Sequence, residues 1–232
     1  MHFRNFLLRA LDDNDAAFIR PQLREASLSR GQPLYEPGDH VDTLYFPSSA
    51  CVSVVTVMRD GKAVETASVG RESVPALLDA LTDRPTTSRI FVQVGGAALT
   101  LSSAVYRSRL TLSPSLVGLS LLHARGLAQQ AELGVGCNIS HPAEGRLARW
   151  LLMTQDRIGG DVLPLTQDYL AVMTGVQRTT ISLMAAALKE ARIITYSRGQ
   201  VTILHRAALI AHACECYELS ERQFEELRGV EP

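Results

Sequence analysis

The sequence predicts an α+β chain: an N-terminal β-roll (jelly-roll-like), a long helix suited to dimerisation, and a C-terminal winged helix-turn-helix. Three observations predict it. Between Leu23 and about Leu101, short β-rich runs alternate with turn residues. From Val117 to Val135, apolar and small residues recur at alternating spacings of four and three. From Leu165 to Leu204, a helix, a tight turn, a second helix and a hairpin can be read in succession. The expected boundaries are 1–110 for the β-roll, 111–140 for the long helix and hinge, and 141–232 for the winged domain with its helical tail.

Residues 1–22 read as one or two short helices. Phe3, Phe6, Leu7, Ala10 and Leu11 recur at helical spacing, and Asp12-Asp13-Asn14-Asp15 can cap a second helix ending near Pro21. Basic residues are too few for a membrane-surface helix, so packing on the next domain is expected. From Leu23 the runs are LREASL, PLYE, DTLYFP, CVSVVTVM, AVETASV, RIFVQV and AALTL. Pro37-Gly38-Asp39, Asp60-Gly61 and Gly95-Gly96 are among the separators. Strands this short and regular suggest a compact barrel or jelly-roll-like unit.

A short helix is expected over Ser102–Leu110. A longer one starts at Ser113-Pro114, with proline at its first position, and runs to about Leu133. Val117, Leu121, Ala124, Ala128, Ala131 and Val135 form its heptad stripe. The small residues let a second helix approach closely, so the stripe is the expected dimer seam. A second stripe, Leu112, Leu116 and Leu119, faces the β-domain. Gly134 and Gly136 are expected to interrupt the helix and mark a hinge. The next helix, Ala143–Ile158, buries Leu147, Trp150, Leu151 and Met153 and ends at Gly159-Gly160.

Thr166 is placed to cap a helix over Gln167–Thr174, and Gly175 to take the left-handed conformation of a sharp turn. The second helix starts near Arg178 with Ile181, Met184, Ala185 and Leu188 on one face. Small Ala171 and β-branched Ile181 fall where two such helices touch. That leaves the second helix's N-terminal turn free to enter a DNA major groove. A hairpin, Ile193–Tyr196 and Val201–Leu204 around Ser197-Arg198-Gly199-Gln200, fits a wing. Residues Arg206–Leu227 read as a helix pair or one long helix.

The formal net charge is −1. Its distribution matters more than its sum. From Glu144 to Arg206 there are eight basic residues against five acidic, whereas from Glu215 onward six glutamates face two arginines. An acidic tail thus hides a mildly basic middle. No apolar run approaches the roughly 18–20 residues that span a bilayer, and the N-terminus lacks a signal-peptide core. A cytoplasmic chain with no membrane partner is expected. Among the four cysteines only Cys214 and Cys216 are close in sequence. The pair is too short for a zinc site and lacks partner ligands, even with His212 nearby, so neither a metal nor a cofactor is expected. No acid/base pair, nucleophile set or catalytic constellation is visible, so the chain is not expected to be an enzyme.

The order of β-roll, long helix, hinge and winged helix-turn-helix resembles the Crp/Fnr family of bacterial transcription regulators. GRLARWLLMTQDRI, LPLTQDYLAVMTGVQRTTISLMAAALKEARII and the Pro-Gly-Asp turn with its following strands carry the resemblance. It implies homodimers that pair through the long helix and bind palindromic double-stranded DNA, with RNA polymerase a further partner if the chain activates transcription. The recognition helix would present Gln177, Arg178, Thr179, Thr180, Ser182 and Leu183. Arg178 matches an arginine that reads guanine O6 and N7, and Thr180 a threonine that fixes a phosphate. Many members have glutamate at Thr179 and arginine at Leu183. Leu183 suits a thymine methyl instead, so an unusual half-site is expected. Thr166 and, in the wing, Arg198 are further DNA contacts.

The effector positions depart further. The family's Arg-Ser pair for a cyclic phosphate falls on Thr86 and Thr87, and its Gly-Glu pair near Pro75 and Ala76. Its adenine contacts fall on Ala131 and Glu132. Glu72 and Arg84 are the nearest substitutes. Without the matched arginine the charge-assisted phosphate contact is lost, so cyclic AMP is not the expected ligand and the effector is unknown. The N-terminal cysteines of iron–sulfur members are absent, and His2 and His40 form no haem-binding set. A competing reading is a ligand-sensing or protein-interaction module whose winged helix no longer binds DNA. The missing glutamate and arginine and the acidic tail motivate it.

Overall fold

The computed structural model describes residues 3–229. His2, named above, and residues 230–232 lie outside them. Asn5 and Asp12 each accept a hydrogen bond from the N–H three residues on, which caps α1 (Phe6–Arg9) and α2 (Asp13–Ile19). Seven strands follow where the sequence places them: β1 (Arg24–Leu28), β2 (Pro33–Tyr35), β3 (Thr43–Pro47), β4 (Cys51–Val57), β5 (Ala63–Val69), β6 (Arg89–Val94) and β7 (Gly96–Ser102). They form two antiparallel sheets, ordered β1-β7-β3 and β2-β6-β4-β5. Leu44, Phe46, Val52, Ile90 and Leu101 meet between the sheets, in one core with Leu7, Leu8 and Ile19 of the N-terminal helices. One helix, α3 (Leu77–Thr82), is not anticipated by any sequence signal. It is bounded by Ala76 and Asp83, both at φ +54°. Left-handed non-glycine backbone costs about 1–2 kcal/mol per residue, which burial of Leu77 and Ala80 offsets.

After α4 (Ser103–Leu110), the Ser113 hydroxyl caps α5 (Pro114–Ser140), which has proline in its first turn as expected. Two expectations fail here. The helix does not stop near Leu133: Gly134 and Gly136 lie inside it, and it reaches Ser140 over 27 residues. Each glycine weakens a helix by roughly 0.5–1 kcal/mol. Packing on both sides offsets this. Gln130 Oε1 accepts from the Ser68 N–H at 2.7 Å, Gln223 donates to the Gly126 carbonyl, and Cys137 is fully buried. The helix therefore breaks at His141-Pro142. Leu112 is not part of an inward stripe: it lies in the turn before α5 and is 73% exposed, whereas Leu116 and Leu119 are buried.

The C-terminal part comprises α6 (Ala143–Ile158), β8 (Val162–Leu163), α7 (Gln167–Thr174), α8 (Arg178–Glu190), β9 (Ile194–Ser197), β10 (Gln200–Ile203), α9 (Arg206–His212) and α10 (Cys216–Arg228). The tail is thus a helix pair. The short β8 was not expected; it completes a sheet ordered β8-β10-β9. The wing turn is tighter than the four residues expected. Ser197 pairs with Gln200, and only Arg198 and Gly199 connect them, both at positive φ (50° and 74°), as a type I′ turn requires.

The two parts share a packed junction. Trp150 of α6 sits in the C-terminal core, as expected, and its Nε1 donates to Glu65 Oε1 of β5 at 2.8 Å. Arg157 Nε donates to Glu72 Oε1 at 2.7 Å, in an ion pair whose two side chains are each 6% exposed. Gly70 backs onto this pair: a Cβ there would meet Arg157 Cβ at 2.6 Å. Cys51 and Val94 of the β-roll belong to the same apolar cluster as Leu147, Leu151 and Met173.

Candidate nucleic-acid interface

The helix-turn-helix forms as its residues dictate. Thr166 Oγ1 accepts from the Tyr169 N–H and starts α7. Gly175 takes φ +66° and ends it, and Val176 N–H returns to the Ala171 carbonyl at 3.2 Å. Ile181, Met184, Ala185 and Leu188 are buried against α7 and the wing side of the core. Arg146 was not singled out in the sequence. It donates to the carbonyls of Thr174, Asn138 and His141, tying the end of α7 to the end of α5. No sequence spacing signals this, because the three carbonyls come from two separate elements.

The opposite face of α8 is open. Gln177 occupies the N-cap without a side-chain cap, and the Thr180 N–H turns to the Gln177 carbonyl, so the N–H groups of Arg178 and Thr179 remain available to an anion. Gln177, Arg178, Thr179 and Leu183 are exposed, Leu183 at 74%. Thr180 is half-buried. Arg178 reaches back to Asp168 at 3.2 Å, but both side chains are about two-thirds exposed. Such a pair contributes about 0–1 kcal/mol, so a stronger acceptor displaces Asp168 easily. Ser182 is engaged internally, donating to Gln167 Oε1 at 3.0 Å and the Arg178 carbonyl at 3.1 Å. Its hydroxyl locks α8 to α7. Arg198 is exposed at the wing tip. The wing turn rests on α7, since a Cβ on Gly199 would lie 3.3 Å from Thr166 Cγ2. The fold therefore gathers Thr166, Arg198 and the first turns of α8, though Thr166 and Ser182 use their hydroxyls as cap and clamp.

The effector residues are not brought together in this way. Glu72 is tied up by Arg157 and by the Gly70 N–H. Thr86 is buried against the loop that holds Gly38 and Asp39, through backbone bonds to both. Arg84 and Thr87 are exposed, and Ala131 is half-buried on α5. The cavity that contains Glu72, lined also by Ser73, Gly126, Gln130, Arg157 and Leu227, measures about 20 Å³. Ligand pockets usually measure about 300–1,000 Å³. In this structure the partner of Glu72 is instead a cation 85 residues away, which local sequence cannot show.

Along α5, Val117, Leu121, Ala128 and Val135 are exposed, and Ile139 extends the strip at 82% exposure. Ala124 is buried within its own chain and Ala131 half-buried. These two lie on the edge of the strip next to inward-facing Ser120, His123 and Leu127, so they border the exposed strip rather than centre it. The expectation that Cys214 and Cys216 lack partner ligands is also corrected. Cys137 of α5 and His141, which caps that helix, meet them, while His212 is exposed and bonded to the Ala208 carbonyl.

Comparison with known proteins agrees with this architecture. A cyclic nucleotide-binding domain matches residues 25–110, and a Crp-like helix-turn-helix domain matches residues 145–212. No curated protein sequence matches the chain. Similar solved structures include FixK2 from Bradyrhizobium japonicum, at 14% identity over 83% of this chain and 98% of that one, with a TM-score of 0.70. TTHB099, a CRP-family transcriptional regulator from Thermus thermophilus, is 18% identical over 82% and 99%, with a TM-score of 0.68. The c-di-GMP-responsive global regulator CLP from Xanthomonas campestris is 13% identical over 83% and 99%, with a TM-score of 0.65. At these identities the likeness concerns the fold.

Proposed function

Because this chain joins a cyclic nucleotide-binding domain to a Crp-like helix-turn-helix, it belongs to the Crp/Fnr family of transcription regulators, and we propose that it acts as a homodimer on palindromic DNA. The exposed N-terminal face of α8 carries the reading. Gln177, Arg178 and Thr179 are open there, beside uncapped N–H groups and a wing-tip arginine. Each α8 enters a major groove with Arg178 on a guanine and Leu183 against a thymine methyl, while Arg198 holds a phosphate. The exposed strip of Val117, Leu121, Ala128 and Val135 supports pairing through α5. Its half-sites then lie one helical turn of DNA, roughly 34–36 Å, apart.

The effector, if one acts, is something other than cyclic AMP. Thr86 and Thr87 offer no charge to a cyclic phosphate, and Glu72 is committed to Arg157. RNA polymerase is a partner if the protein activates. A genome-wide binding footprint with a derived motif tests the reading. The expected motif has two-fold symmetry and a guanine whose preference depends on Arg178. Absence of salt-sensitive, site-specific binding would leave the winged helix as an interaction module.

A further inference from the structure

Three cysteines and a histidine from distant parts of the chain converge beside the break between α5 and α6. Cys137 lies in the last turn of α5, and His141 caps that helix, its backbone N–H bonded to the Cys137 carbonyl at 3.1 Å. Cys214 and Cys216 bracket Glu215 at the start of α10. The four donor atoms all lie within 4.8 Å of one another. Cys137 Sγ is 3.5 Å from Cys214 Sγ, and Cys216 Sγ is 3.5 Å from His141 Nδ1. A tetrahedral ion bound at about 2.3 Å to sulfur and about 2.0 Å to nitrogen holds its sulfurs roughly 3.8 Å apart, and sulfur and nitrogen roughly 3.5 Å apart. The spacing fits one ion. We propose that Cys137, His141, Cys214 and Cys216 form a structural zinc(II) site that clasps the end of the long helix to the DNA-binding domain.

Three further observations support a metal over four idle side chains. His141 is oriented as a ligand: Nδ1 points at Cys216 while Nε2 meets Glu215 Oε1 at 3.3 Å. A carboxylate on the far ring nitrogen fixes the tautomer that leaves Nδ1 free to bind. Three thiolates and a neutral imidazole around zinc carry one net negative charge. Arg149 lies close enough to act on all three sulfurs, is buried, and has its Nε without a partner among the described residues. Finally, Gly145 at the start of α6 admits the cysteine loop: Cys214 N–H reaches the Gly145 carbonyl at 3.3 Å, and a Cβ on Gly145 would lie 3.2 Å from that nitrogen. Sulfur-rich tetrahedral donors select zinc over oxygen-preferring cations. The site closes all four positions, so its role is structural. It ties the end of α5 to the start of α10, beside the break between α5 and α6.

The test uses the full chain purified under reducing conditions without chelator. Elemental analysis should find about one zinc per chain. Titrating cobalt(II) into the reduced, zinc-stripped protein should give the visible absorption of tetrahedral thiolate-bound cobalt, abolished by zinc. Cys214→Ser and His141→Gln should each weaken affinity at least roughly tenfold, while Cys51→Ala, in the β-roll, keeps full stoichiometry. The variants guard against adventitious zinc, and the cobalt titration of the unaltered chain needs no variant to fold. Zinc held equally well by both ligand variants would overturn the assignment. So would substoichiometric zinc together with no cobalt spectrum, or a protein whose Cys137 and Cys214 are isolated as a disulfide.

Discussion

The sharpest consequence of the packed junction concerns Glu65. Its carboxyl accepts from Trp150 Nε1 at 2.8 Å and from Ser53 Oγ at 2.6 Å, inside the contact between β5 and α6. Burial pushes its pKa from 4.5 up to about 7, against the pull of those two donors and of Arg157 and Arg149. The folded chain therefore keeps this proton to a higher pH than the unfolded chain does. Between those two values folding takes up a proton, so stability falls as pH rises. The contribution is whole below about pH 4.5 and is lost as pH passes about 7. At about 1.36 kcal/mol per pH unit, the interval corresponds to on the order of 3 kcal/mol. In a chain of this size, that lowers the melting temperature by roughly 5–10 °C.

Glu65→Gln isolates the effect. The amide oxygen still accepts from Trp150 and the amide nitrogen donates to Ser53, but nothing titrates. His123 works in the opposite sense: burial lowers its pKa from 6.5 to about 4, so its contribution rises with pH across that interval. It is present in both proteins and cancels in the comparison. Melting temperatures measured from about pH 5 to about pH 8 should fall in the parent by several degrees more than in the variant. Parallel curves would refute the reasoning and place Glu65 in contact with water.

Arg178→Ala should weaken specific DNA binding by about 1–3 kcal/mol and relax selection at one base; an unchanged motif would reduce Arg178 to a phosphate contact. Ala128→Glu brings two carboxylates together in the expected seam, and sedimentation should show a weaker dimer. A dimer as tight as before would put the seam elsewhere. Cyclic AMP should not raise the melting temperature, since a ligand of the native state must stabilise it, and a dose-dependent rise would mean that the Glu72–Arg157 pair opens to admit it.

The elements legible in the sequence are those specified locally. Thr166, Gly175 and Ile181 lie within 16 residues, and each meets a backbone or packing demand of the helix-turn-helix itself. The seven strands announced themselves through alternation bounded by turn residues. What escaped is what depends on distant partners. Gly134 and Gly136 argue for a break when only propensity is weighed, yet contacts with β5 and α10 carry the helix through them. Glu72 looks like a free carboxylate until Arg157, 85 residues on, is brought to it. The cysteines show the limit most clearly. Cys137 with His141, and Cys214 with Cys216, are each half a site, and Cys137 and Cys214 are 77 residues apart. The half-sites meet at His141-Pro142, where Arg146 also joins the end of α5 to the helix-turn-helix. The exposed face of α8 is specified by residues close together in sequence. The link between the long helix and that face is set instead by long-range pairs, which no local stretch of sequence contains.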